Sequence, residues 1–164
     1  MSGCEEAAME RDNSVVFDEA VTATASPWQP HDATHVLREQ SEFSELMQEA
    51  IARAHETAVT AQREWRTATP EEAERWMIKW AAPTLDDTVE YLWVRPLVWT
   101  DFRIEGILLN TPVRETGYDA GGMVGFPIEE MADWVYLIDG DMSSARRGGF
   151  TIDVLQSYAD DPRP

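Results

Sequence analysis

The chain has 164 residues, about the length of one domain, and it is long enough to bury a hydrophobic core without metals or disulfides. Hydrophobic residues make up 43% of the sequence, which excludes a chain that is disordered throughout. The formal net charge of -18 would repel nucleic-acid backbones and anionic membranes, so we expect neither to be a partner. A basic protein is the partner that this charge favours, although a solubility function or a halophilic origin would give the same composition.

The single cysteine and the lack of long apolar runs indicate a soluble protein of the cytoplasm. Cys4 has no second cysteine to pair with, which suits a reducing compartment. No apolar run precedes it, as a secretory or lipoprotein signal would require. No stretch approaches the roughly 18 to 20 consecutive apolar residues of a membrane-spanning helix.

Residues 1–40 differ in composition from the rest of the chain. Carboxylates dominate their first half, and residues 22–27 have the Thr, Ala, Ser and Pro composition of a flexible linker. The apolar residues 15–17 either dock on the folded domain as an extra strand or stay loose, so we expect a flexible or weakly docked acidic segment. His31 and His35 stand four residues apart but have no evident third ligand, and we expect no metal site.

From Ser41 onward, apolar residues recur at steps of three and four, which predicts a long amphipathic helix over residues 41–66. Ser41 is a candidate N-cap, and Glu42 and Glu45 in the first turn suit the positive end of the helix dipole. The apolar stripe consists of Phe43, Leu46, Met47, Ala50, Ile51, Ala54, Ala58, Ala61 and Trp65. Such a stripe has to be buried, and a sheet face is the partner available for it.

Runs of β-branched and aromatic residues after the helix predict a series of short strands. The predicted strands are residues 74–81, 89–99, 102–109, 123–126 and 133–138. The short connections between them imply antiparallel neighbours. Beyond the strands, the sequence predicts a polar loop over residues 143–149, a short helix over residues 152–158 capped by Thr151, and a loose tail over residues 160–164.

These elements together predict one α+β domain over residues 41–159. Its long N-terminal helix packs on a curved antiparallel sheet of about five strands, similar to a half-open barrel, and a short C-terminal helix follows. We expect no cofactor. Residues 117–122 are rich in glycine, but they lack the Gly-Lys-Ser/Thr ending of a phosphate-binding loop.

Three polar residues of the strand region are candidates for a functional site. Glu90 shares a strand face with Leu92, and such a carboxylate is either a functional acid with a raised pKa or a rim residue bonded to a backbone amide or an arginine. Asn110 ends a strand, where asparagine side chains commonly shape turns. Asp133 opens a strand beside Trp134, which is either a core aromatic or an interface anchor.

Two classes of function fit the sequence. The acidic composition, the seven tryptophans and the lack of a catalytic motif such as Gly-x-Ser-x-Gly favour a non-enzymatic interaction protein, one form of which is an immunity-type protein that masks a basic toxin. The alternative is a small hydrolase that uses Glu90 and Asp133 as an acid/base pair, with Asn110 as a polar helper. Convergence of these three side chains in one concave pocket would favour the hydrolase, and separate contacts with turns and backbone amides would favour the interaction protein.

Several short motifs occur in an order that resembles a known bacterial family. An alanine-rich helix at residues 50–54 is followed by Glu90-Tyr91-Leu92-Trp93-Val94, Gly106, Leu109-Asn110-Thr111-Pro112, Ile128, Asp133-Trp134 and Gly148-Gly149-Phe150-Thr151. Over about residues 45–156, this order resembles the family catalogued as domain of unknown function 2314, also called YegJ-like. One departure lies at residues 121–123, Gly-Gly-Met, where the family tends to carry a Gly-Asp pair.

The resemblance implies a helix packed on a curved antiparallel sheet, and it brings no established activity with it. It also implies that binding candidates lie at the positions of its motifs, namely Glu90, Trp93, Asn110, Asp133 and Trp134. The acidic extension before residue 41 is not part of the pattern.

Overall fold

The structure, a computed structural model, describes residues 41–143 and 145–160. The predictions for the acidic segment 1–40, including residues 15–17, His31 and His35, lie outside the described residues. The prediction of a loose tail after Asp160 lies outside them as well.

The described chain folds into a long helix, a six-stranded sheet and two shorter helices. In chain order the elements are α1 (Ser41–Thr67), α2 (Pro70–Ala73), β1 (Trp76–Pro83), β2 (Val89–Trp99), β3 (Arg103–Leu108), β4 (Met123–Pro127), a 3-10 turn (Ile128–Glu130), β5 (Met131–Leu137), β6 (Arg146–Gly148) and α3 (Phe150–Ala159). The predicted α+β fold, with a long first helix and a short last one, is confirmed. Within this part of the chain, none of the helices combines the length and the apolar character needed to cross a membrane.

Helix α1 buries a stripe that consists mostly of alanine. The stripe residues that are at most 8% exposed are Phe43, Met47, Ala50, Ala54, Ala58 and Ala61. Small side chains let the helix lie close to the sheet, and the large aromatic residues of the sheet fill the space between them. Leu46, a member of the predicted stripe, is 41% exposed because it stands at the edge of the buried arc.

The strands form one antiparallel sheet in the order β4-β3-β2-β1-β5-β6. The sequence predicted about five strands and missed β6, which pairs with residues 135–137 of β5 inside the segment predicted as a polar loop. A short edge strand of Arg, Arg and Gly has too few side chains to show the alternation that identifies a longer strand.

The sheet is open and curls like a half-barrel. Strands β4 and β5 stand four positions apart in the strand order, which would separate them by about 19 Å in a flat sheet. The connection from Pro127 to Met131 can span at most about 14 Å, so the sheet has to bend to bring these strands together. Accordingly, Trp80 of β1 and Phe126 of β4 stack across the inside of the curve with ring centroids 4.8 Å apart.

The main core fills the space between the inside of the curved sheet and α1. Its largest members, Trp76, Trp80 and Trp99, are at most 2% exposed. Neighbouring residues of a strand point to opposite faces, so Ile78 belongs to this core while Lys79 points to the other face. That other face carries a smaller apolar cluster formed by Trp93, Val135, Leu137 and Ile152.

Candidate functional site

Glu90 fixes the loop that follows β3. It lies on β2 opposite Ala82 of β1, and it is only 6% exposed. Its Oε1 accepts a hydrogen bond from the backbone N–H of Val113 at 2.8 Å, and its Oε2 accepts one from the N–H of Arg114 at 2.9 Å. Hydrogen bonds to a charged acceptor are roughly twice as strong as neutral ones, so this one carboxylate holds two successive residues of the loop.

The same loop is tied to the turn between β1 and β2. The Arg114 guanidinium donates to the hydroxyl of Thr88 at 2.9 Å and lies 3.3 Å from a carboxylate oxygen of Asp86. Hydrogen bonds from the hydroxyls of Thr84 and Thr88, with a further contribution from Arg114, hold the pKa of Asp86 below its usual value. These contacts make the turn and the loop one structural unit at this end of the sheet.

Asn110 extends the pairing of β2 with β3 beyond the last residue of β3. Its Oδ1 accepts a hydrogen bond from the N–H of Trp93 at 2.7 Å, and the N–H of Leu109 donates to the carbonyl oxygen of Trp93 at 2.8 Å. The side-chain amide therefore takes the place that a backbone carbonyl would occupy in a longer β3. Asparagine commonly shapes the ends of strands in this way.

Asp133 is fully buried and caps α3 from a neighbouring strand. Its Oδ1 accepts from the N–H of Trp134 at 2.8 Å, and its Oδ2 accepts from the N–H and the hydroxyl of Thr151 at 2.7 and 2.6 Å. The first N–H groups of a helix have no partner within the helix, and a carboxylate suits the positive end of the helix dipole. The prediction that Thr151 caps this helix is wrong, because α3 begins at Phe150 and its N-cap is Gly149.

Lys79 completes a buried cluster with Thr151 and Asp133. It lies directly opposite Asp133 where β1 pairs with β5, and opposite Trp93 where β1 pairs with β2. Its Nζ donates to the Thr151 hydroxyl at 2.9 Å, and that hydroxyl in turn donates to Asp133. Nζ also lies 5.5 Å from the ring centroid of Tyr91 and 5.3 Å from that of Trp93, within the range of cation–π attraction.

Burial shifts the protonation equilibria of this cluster. Desolvation lowers the pKa of Lys79 from 10.5 to about 8, and the nearby Asp133 carboxylate opposes that shift. Desolvation likewise raises the pKa of Asp133, against the opposing effects of its hydrogen bonds with Thr151 and of the Lys79 charge. Each charge would be costly alone in this environment, and each is tolerated because the other is present.

Trp93 and Trp134 are both buried within the fold. Trp93 is 3% exposed and packs in the smaller cluster. Trp134 is 8% exposed, and its indole N–H donates to the hydroxyl of Thr57 on α1 at 3.0 Å. The two indoles thus pack on opposite faces of the sheet, and neither is exposed on the surface.

The three polar candidates do not meet in one pocket. Asp133, Lys79 and Trp93 occupy one row across β5, β1 and β2, and side chains in one row point to the same face of a sheet. Glu90 stands an odd number of positions before Trp93 on β2, so it points to the opposite face. Within the described residues, the Asn110 side chain forms its hydrogen bond with the backbone N–H of Trp93 and not with Glu90 or Asp133. The sheet itself therefore separates the Glu90 and Asp133 carboxylates that the hydrolase hypothesis requires to act together.

The charged side chains of the candidate site are poorly placed to bind a metal ion. Among residues 41–143 and 145–160, no three His, Cys, Asp or Glu side chains are grouped closely enough to hold one. The carboxylates of Glu90 and Asp133 already accept hydrogen bonds from N–H and O–H donors, which a cation would have to displace.

Lys79 was not among the candidate site residues, and Thr151 was expected only as a helix cap and a motif residue. Lys79 is the only lysine of the chain and stands between apolar residues in a predicted strand, which is an indication that it is buried. Its pairing with Asp133 depends on the register of β1 with β5, and no local pattern reveals that register.

A family model described as an uncharacterized protein conserved in bacteria (DUF2314) matches residues 44–161. The chain belongs to this family. The match runs from α1 to α3 and confirms the resemblance found over about residues 45–156.

A relative of this DUF2314 protein is found in Neisseria meningitidis serogroup B, where it is named as an ankyrin repeat protein. The two sequences are 28% identical over 67 residues, which is 41% of this chain and 25% of the relative. This chain therefore matches about a quarter of the length of that protein. No solved structure gives a significant match to the chain.

Proposed function

We propose that this DUF2314 protein is a non-enzymatic interaction module that binds a basic protein. The observation that carries the proposal is the excess of negative charge: the chain has 31 acidic residues and 13 lysine and arginine residues. Within the described residues, six ion pairs engage Arg66, Arg75, Arg103, Arg114, Arg146 and Arg147. Because the carboxylates outnumber the basic residues that can pair with them, a large negative charge remains for a basic partner to neutralise.

The use of the buried carboxylates supports a non-enzymatic function. Glu90 is occupied by two backbone N–H groups of a loop, and Asp133 is occupied by the start of α3 and by the Lys79–Thr151 contact. A general acid or base needs a carboxyl group within reach of a substrate. Both carboxylates instead hold parts of the fold together, so the surface is the region left for function.

The relative supports an interaction module in a more general way. The relative is named as an ankyrin repeat protein, and stacked repeats of this kind form extended binding surfaces, which supports an interaction function for a region shared with it. We propose the cytoplasm as the location and expect no nucleic acid or membrane among the partners, on the basis of charge. Masking of a basic toxin by an immunity-type protein is the specific form that combines these properties.

Affinity capture from a bacterial host lysate tests the proposal, with the full chain as bait at physiological ionic strength. The matched control is an unrelated folded protein that carries the same net charge on an added polyglutamate segment. We expect at least one basic protein to be retained by the full chain and lost at high salt, because screening weakens charge attraction. That protein should be absent from the control.

Two results would contradict the proposal. One is the same set of basic proteins on both baits, which would mean that any polyanion suffices. The other is retention of acidic proteins alone, which the charge of the chain should disfavour.

A further inference from the structure

Two of the most exposed apolar side chains of the described residues lie on adjoining loops. Leu85, in the turn between β1 and β2, is 72% exposed, and Val113, in the loop after β3, is 66% exposed. The N–H of Leu85 donates to the carbonyl oxygen of Glu115 at 2.8 Å, which joins the two loops directly. We refer to residues 84–88 and 111–116 together as the loop surface.

The backbone of the loop surface is held from inside the protein. The buried Glu90 carboxylate accepts hydrogen bonds from the N–H groups of Val113 and Arg114, and Arg114 also contacts Thr88 and Asp86 of the other loop. A loop whose backbone is already fixed loses less conformational freedom on binding than a flexible loop does. Leu85 and Val113 are therefore presented as preorganised anchors.

The loop surface is also negatively charged. Asp86, Asp87 and Glu115 are exposed on it, and Arg114, its one basic residue, is paired with Asp86. Two apolar anchors beside several carboxylates match the usual anatomy of an interface, with an apolar centre and a polar rim. The partner that complements this surface carries an apolar patch edged by lysine or arginine.

Two other strongly exposed apolar residues have basic residues beside them. Phe102 is 80% exposed on the turn between β2 and β3, but Arg66, which pairs with Asp101 of that turn, and Arg103 lie beside it and would repel a basic partner. Met123 is 57% exposed, but it shares a row of the sheet with Ile107 and Arg95, and the arginine would repel a basic partner. The loop surface, in contrast, combines exposed apolar side chains, a fixed backbone and negative charge.

We propose that the loop surface is the site at which this protein binds its basic partner, with Leu85 and Val113 as the apolar anchors. This inference rests on the proposed function and names the surface that performs it. The carboxylates on the exposed side of α1, including Glu45 and Glu49, contribute to the overall charge without forming the contact surface.

The test measures binding of the full chain to an amphipathic lysine–leucine helical peptide, by calorimetry or fluorescence anisotropy. The apolar variant is Leu85→Ser with Val113→Ser, and its control is Phe102→Ser, another exposed apolar residue. The charge variant is Asp87→Asn with Glu115→Gln, and its control is Glu45→Gln with Glu49→Gln, which removes the same charge from α1. Thermal unfolding of each variant establishes that the fold is intact.

We expect the apolar variant to weaken binding by about tenfold or more, the size of effect that loss of an interface anchor produces. The charge variant should weaken binding by more than its α1 control, and Phe102→Ser should bind like the wild type. If the wild type binds the peptide but the loop-surface variants weaken it no more than their controls, the location is wrong and the proposed function stands. If the wild type does not bind the peptide at all, the proposed function fails as well.

Discussion

Lys79 of β1 and Asp133 of β5 stand directly opposite each other in the sheet, and the hydroxyl of Thr151 lies between their charged groups. The hydroxyl accepts a hydrogen bond from the ammonium and donates one to the carboxylate, so the start of α3 is fastened to the two strands at one point. Buried charge pairs seldom add net stability compared with apolar side chains, but loss of one member leaves an uncompensated charge. The cluster therefore has consequences for stability that can be measured.

The free energy of unfolding should rise as the pH is raised from about 8 toward 10.5. In this range the unfolded chain still binds the Lys79 proton while the folded protein releases it, and stability increases with pH wherever the unfolded state binds more protons. The shift of the Lys79 pKa limits the rise to about 3 kcal/mol. Urea unfolding at a series of pH values measures it.

The control for this experiment is Lys79→Met, which should remove the rise. Lys79 is the only lysine of the chain, so few other groups titrate in the same range. Burial raises the pKa of Tyr91, which would lower stability at still higher pH, and the series should therefore end below about pH 10. An equal rise in the variant would show that Lys79 is not its source.

Lys79 and Asp133 should depend on each other in a double-mutant cycle. Asp133→Asn alone leaves the buried Lys79 charge uncompensated and should lower the free energy of unfolding by about 3 to 5 kcal/mol. Asp133→Asn combined with Lys79→Met should cost less than the sum of the single changes by about 1 to 3 kcal/mol. Costs that add within about 0.5 kcal/mol would mean that the two charges do not interact.

Gly106 should not tolerate a side chain. It pairs with Pro96 beside the register shift between Pro96 and Val98, and a Cβ there would lie 2.0 Å from the carbonyl oxygen of Arg95. Because a backbone atom cannot easily move away, Gly106→Ala should lower the free energy of unfolding by about 3 kcal/mol. Gly125→Ala is the matched control, since the nearest atom to its Cβ would be 3.4 Å away on the flexible side chain of Glu105. Equal stability of the two variants would contradict the steric argument.

The parts of the fold that the sequence predicted are those with a local repeat. The three- and four-residue spacing of Phe43, Met47, Ala50 and Ala54 identifies α1 and its buried face, and all four are buried. The alternation in β1 and β2 likewise follows from side chains that point to opposite faces of the sheet. β6 was missed because two arginines and a glycine carry no such repeat, and its pairing with β5 is a tertiary contact.

The sequence identified several residues of the candidate site but not the contacts between them. Glu90, Asn110 and Asp133 were candidates because polar side chains in or beside strands are costly to bury without hydrogen bonds. Each of them does accept a hydrogen bond from at least one backbone N–H group. Their partners come from distant parts of the chain, so neither the Lys79 contact nor the separation of Glu90 from Asp133 could be inferred from sequence. Both follow from the register of β1 with its neighbours.

Residues 1–40 should be dispensable for folding of the domain. Their acidic and linker-like composition motivates this prediction, which concerns residues outside those described. Deletion of this segment should leave the melting temperature nearly unchanged. A change in stability of about 1 kcal/mol shifts the melting temperature of a domain of this size by only a few degrees. A decrease of more than about 10 °C would mean that the segment, through residues 15–17, contributes to the core.

We expect Glu90, Asn110 and Asp133 to hold the fold together instead of performing chemistry. Denaturant unfolding of Glu90→Gln, Asn110→Ala and Asp133→Asn, with the exposed Glu56→Gln as control, tests it most directly. Glu90→Gln and Asn110→Ala each leave a backbone N–H without its acceptor and should lower the free energy of unfolding by about 1 to 3 kcal/mol, with a larger loss for Asp133→Asn and none for the control. Catalytic carboxylates are often kept at a cost to stability, so three variants that are as stable as the wild type, or more stable, would contradict the claim.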